Sequence, residues 1–88
     1  MEIYFEESFE RDLRKIKDER ALKGVEKSIK KVRNARSLRE VRNFEKLKGY
    51  NTFYRIKIGD YRVGVELIDD KIIFTRFLHR KDIYKYFP

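Results

Sequence analysis

With 88 residues the chain has room for one domain, spanning 1–88, and so short a chain buries only about 60% of its unfolded surface; a second site-bearing domain is excluded. The absence of Cys and the single His exclude a disulfide framework, thiolate chemistry and an ordinary His-rich zinc site, so neither a metal nor a small-molecule cofactor is expected. Lys and Arg outnumber Asp and Glu by 23 to 15, a net charge of +8 that marks a polyanion binder, while seven Phe and six Tyr supply too much apolar surface for a disordered basic tail.

The opening residues lack a charged segment followed by an apolar run, and no stretch approaches the roughly 18 apolar residues of a membrane span. A soluble, cytoplasmic protein without a membrane role is expected. Glu2 to Phe5 alternates polar and apolar β-prone residues and predicts a short strand. Ser8 is placed to cap a helix whose first turn holds Glu6, Glu7 and Glu10, the sign favoured there. Phe9, Leu13 and Ile16 recur at i, i+4 and i+7, and after Asp18 a second helical set follows at Leu22, Val25, Ile29 and Val32, predicting an antiparallel helical hairpin. Lys27, Lys30, Lys31, Arg33, Arg36, Arg39 and Arg42, opposed there only by Glu40, read either as a solvated helix face or as a surface that helps hold nucleic-acid phosphates.

From Phe53 the period changes to that of strands, predicted at about 53–58, 61–68 and 71–78. Gly59-Asp60 and Asp69-Asp70 supply the tight turns of an antiparallel meander. The order is β-α-α-β-β-β, an α+β fold with a mainly antiparallel sheet, the helical hairpin packed on one face and the other face left open. The segment from Arg80 to Phe87 forms a short helix or an extended tail.

Period two assigns faces. Tyr54, Ile56 and Ile58 point to the helices and Arg55 and Lys57 away; Tyr61, Val63, Val65 and Leu67 make the next apolar set, leaving Arg62 opposite, close to Lys57 and Arg55 across the hairpin. Like charges facing across strands destabilise by up to about 1 kcal/mol per pair, so the three cations either keep an open sheet soluble or await an anion between them. On the last strand both Ile72/Phe74/Leu78 and Ile73/Phe77 qualify as the buried set.

Leu47-Lys48-Gly49, the run from Tyr54 to Val63 with its Gly-Asp-Tyr-Arg-Val, Ile68-Asp69-Asp70-Lys71, and His79-Arg80-Lys81-Asp82-Ile83-Tyr84 together resemble RelE/ParE superfamily toxins over nearly the whole chain. The resemblance implies the toxin of a type II toxin–antitoxin module. RelE-type toxins are ribosome-dependent endoribonucleases that cleave mRNA in the A site; ParE-type relatives inhibit DNA gyrase without chemistry, and a degenerate member would only bind RNA or an antitoxin. It further implies that Arg55, Lys57, Arg62, Arg80 and Tyr84 line the active site, with Lys48 and Lys81 joining Arg55 and Lys57 on RNA. In YoeB-type members a Glu serves as general base and a terminal His as general acid; Glu45 and His79 match those positions, so the chain combines both patterns. The implied partners are mRNA, the ribosome and a cognate acidic antitoxin, with a monomer when free.

The residue types suit that chemistry. Attack of a 2′-hydroxyl on the adjacent phosphate builds negative charge on phosphoryl oxygens, which fixed cations stabilise without a metal. Arg62 and Arg80, with planar forks that match phosphate, are the candidates for that role; Arg55 and Lys57 position the backbone or lower a neighbour's pKa. Glu45 is the carboxylate base, His79 the acid, and Tyr84 stacks on a base or donates a proton. Tyr86 and Phe87 read as packing residues.

Overall fold

The computed structural model describes all 88 residues, Met1–Pro88. Its elements are β1 (Glu2–Phe5), α1 (Glu7–Arg14), α2 (Glu19–Asn34), a 3₁₀ turn at Leu38–Glu40, β2 (Phe44–Lys46), β3 (Phe53–Ile58), β4 (Tyr61–Ile68), β5 (Lys71–His79) and α3 (Ile83–Tyr86). The strands form one mixed sheet in the order β1-β5-β4-β3-β2, with β1 parallel to β5 and the other pairs antiparallel. The expected α+β arrangement is present, with β2 added as a short fifth strand on the far edge.

Local chemistry accounts for the elements. Asp18 caps α2, its carboxylate accepting the N–H groups of Arg20 and Ala21. Ser8 does not cap α1: Glu6 holds that position, and the Ser8 hydroxyl lies inside the helix and donates to the Thr75 carbonyl, tying α1 to β5. Ile58 pairs with Tyr61 and Ile68 with Lys71, so both predicted two-residue turns form, with Gly59 at φ 55° and Asp69 at φ 54° supplying left-handed positions.

Phe9, Val25 and Val32 from the helices meet Ile56, Val63, Val65, Ile72, Phe74 and Phe77 from the sheet, each buried side chain contributing about 1.5–3 kcal/mol. A bulge in β5 settles which of its residues join them. Gly64 faces Arg76 and Val65 faces Phe74, so Thr75 is an extra residue, buried, with its hydroxyl donating to the Gly64 carbonyl. The bulge inverts the phase of β5. Ile72 and Phe74 face the helices before it, Phe77 and His79 after it, so each of the two alternations holds for one half of the strand.

The second sheet face is only partly open. Leu47, Ile83 and Phe87 form a small buried cluster there, with Phe53 and Leu78 against it, so the C-terminal segment folds back over the sheet. Phe87 lies on Gly64, where a Cβ would come within 2.7 Å of its ring. Phe87 is thus the packing residue it was expected to be, whereas the Tyr86 ring is exposed, with Arg76 5.9 Å above it.

Candidate active site

The β2–β3 ladder sets Glu45 directly opposite Arg55, and the β3–β4 ladder sets Lys57 directly opposite Arg62, all four on the face away from the helices. α3 reaches the same face from the C-terminus, its Ile83 buried in the small cluster and its Tyr84 exposed over Arg55. Arg55 Nε and Nη2 donate to Glu45 Oε2 at 3.2 and 2.6 Å, and Nη1 donates to the Tyr84 hydroxyl. The hydrogen bond from Arg55, then its charge, holds the Glu45 carboxyl below its ordinary value of 4.5, with Lys57 and Arg62 adding to the pull. The same bond raises Arg55 above the usual arginine value.

Arg62 behaves differently. Its side chain bends under the β3–β4 turn, where Nη1 donates to the carbonyls of Gly59 and Tyr61, both at 2.8 Å. The residue is 8% exposed and its Nε is buried without any acceptor. An orphaned buried donor on a cation is costly. Arg80 arrives at the same turn: its backbone N–H donates to the Asp60 carbonyl at 2.8 Å, and its exposed guanidinium lies 3.9 Å from the Asp60 carboxylate. The three cations expected to converge do share a face, but Arg55 answers to Glu45 and Arg62 to turn carbonyls, which relieves much of the repulsion between them.

Lys48 and Tyr84 line an open cleft of about 370 Å³ together with Arg55, Lys46, Tyr50 and Phe87. Tyr50 had not been singled out; it is exposed and packs edge-on against Phe53 at 5.6 Å, and an aromatic following Leu47-Lys48-Gly49 was the available signal. Lys81 is exposed just beyond β5.

His79 does not join the site. The bulge turns it to the helix side of the sheet, opposite Tyr61, with the two rings 5.6 Å apart, and its Nδ1 accepts the Lys81 N–H at 3.2 Å. The inverted phase of β5 thus sets His79, the expected acid, on the opposite face of the sheet from Glu45.

Residues 3–84 match the family described as ParE toxin of type II toxin–antitoxin system, parDE. Over 89 aligned residues, covering all of both chains, the sequence is 40% identical to Toxin RelE3 of Methanocaldococcus jannaschii. The fold superposes with a TM-score of 0.82 on a chain of the RelB–RelE antitoxin–toxin complex from Methanococcus jannaschii, at 40% identity and covering 97% of this chain and 99% of that one. The isolated E. coli RelE toxin shares the fold at a TM-score of 0.66 and 20% identity, covering 96% of this chain and 90% of that one. The chain therefore belongs to the RelE/ParE family of toxins from type II toxin–antitoxin systems.

Proposed function

We propose that the protein is a metal-independent endoribonuclease that cuts mRNA in the ribosomal A site and so stops translation in the cytoplasm. The observation that carries this reading is Arg62, a guanidinium fixed by turn carbonyls on one nitrogen, directly opposite Lys57 in a face that also presents Arg55, with exposed Arg80 at the adjoining turn. Such a fixed cation suits the charge that develops on phosphoryl oxygens. The 2′-oxygen bonds to phosphorus as the bond to the 5′-oxygen breaks, leaving a cyclic 2′,3′-phosphate and a 5′-hydroxyl. Glu45 takes the 2′-hydroxyl proton and Tyr84 supplies one to the leaving oxygen; His79, on the other face, has no part. Arg62 and Arg80 hold the phosphoryl oxygens, Arg55, Lys57, Lys48 and Lys81 hold flanking phosphates, and Tyr50 offers a ring for base stacking.

The test is translation of a defined mRNA in a reconstituted ribosome system, with new 5′ ends mapped by primer extension. Wild type is expected to cut within the A-site codon and Arg80→Ala, an exposed position where folding is not at risk, to lose about 10²–10³-fold. Intact mRNA with folded wild type would move the reading to inhibition of DNA gyrase, which the ParE character of the matching family favours.

A cognate acidic antitoxin follows from the same charge. The relative from Methanococcus jannaschii crystallised as a RelB–RelE complex, and the net +8 here favours a polyanionic wrap. Unchanged solubility and toxicity on co-expression with the product of the neighbouring open reading frame would remove this partner.

A further inference from the structure

All three nitrogens of the Arg55 guanidinium are engaged within the protein. Nε and Nη2 both donate to one oxygen of Glu45, and Nη1 donates to Tyr84. The Nε–Nη2 edge is one that a guanidinium offers to a phosphate as a planar fork. Glu45 therefore lies where a phosphate would bind. Its side chain stays largely in solvent, free to be displaced.

We infer that Glu45 is a built-in competitor for the RNA phosphate at Arg55, a specificity-determining residue that holds back RNA diffusing freely and yields to RNA presented by a scaffold. The choice of RNA rests on the reading above. Competition weakens every RNA by one factor, but a strand held against the site by a larger assembly meets it at a far higher effective concentration and saturates it regardless. Displacement also links binding to chemistry: the phosphate that takes Arg55 frees the carboxylate beside it.

Binding of a short, uncleavable 2′-O-methyl RNA without ribosomes tests this by fluorescence anisotropy. The variants are Glu45→Gln and, as a control for lost charge alone, Glu66→Gln, which lies on the same face opposite Phe53 and pairs with no cation. An exposed ion pair of this kind predicts that Glu45→Gln binds about two- to fivefold more tightly than Glu66→Gln. In an Arg55→Gln background that excess should vanish. Equal binding by the two variants, an excess that survives loss of Arg55, or no binding even by Glu45→Gln would overturn the inference; the nuclease reading is decided separately by the A-site cleavage assay.

Discussion

Arg62 ties the β3–β4 turn through Gly59 and Tyr61 while keeping a buried Nε without an acceptor, so its replacement by Ala removes a structural tie along with a charge. Arg80 and Tyr84, both exposed, are the cleaner probes of chemistry. Glu45 carries a prediction in pH. Its carboxyl is held below 4.5 by Arg55, so it remains ionised as pH falls past the ordinary value, and whatever the pair adds to stability is present above that value and lost only as pH drops through the depressed one. The profile of kcat/KM, which reports the free protein, should then show no acid limb attributable to Glu45 between about pH 5 and 7. A limb in that range that disappears in Glu45→Gln would count against this ionisation state.

At the scale of elements, the two ends of β5 are held by different devices. β1 pairs only as far as Phe74, and beyond it Asp12 of α1 takes over the edge: its buried carboxylate accepts the Phe77 N–H at 2.9 Å and forms an ion pair with Arg76 at 2.7 Å. Asp12→Ala should cost about 1–3 kcal/mol in urea unfolding, because it strands a buried backbone donor. On the other face, α3 is one turn long and depends on Phe87 seated over Gly64. Gly64→Ala would push that ring away, costing about 1–3 kcal/mol as overpacking. It should also lower cleavage by more than its stability loss explains, because Tyr84 rides on the same turn; equal activity at a temperature where both proteins are folded would show that α3 does not position Tyr84.

Over the whole molecule the excess of cations is spread along α2, the 3₁₀ turn and the site face, with Lys30, Lys31 and Arg42 brought around one surface hollow. Binding to single-stranded RNA should therefore weaken steeply with salt, log K falling by about 0.7 per phosphate neutralised for each tenfold rise in salt. Removing Lys57 should reduce that slope by close to one contact, and an unchanged slope would place the RNA elsewhere. No helix is long and apolar enough to cross a membrane.

The strands at 53–58 and 61–68, their two-residue turns and the helical hairpin were legible because period and turn residues are local properties carried by a few neighbours: Gly59 for the turn, Leu22, Val25, Ile29 and Val32 for α2, alternating Val63 and Val65 for the core. The face shared by Arg55, Lys57 and Arg62 was legible for the same reason, since period two and one turn length suffice. Three features were decided only in three dimensions. The bulge at Thr75 depends on how β5 pairs with β4, and it sends His79 to the helix side. The fifth strand forms because Phe44–Lys46 finds an edge to pair with, three residues being too few to show a period. The fold-back of Ile83 and Phe87 over Gly64, which delivers Tyr84 to Arg55, depends on contacts between residues about twenty or more apart, where no local pattern in the chain can record who meets whom.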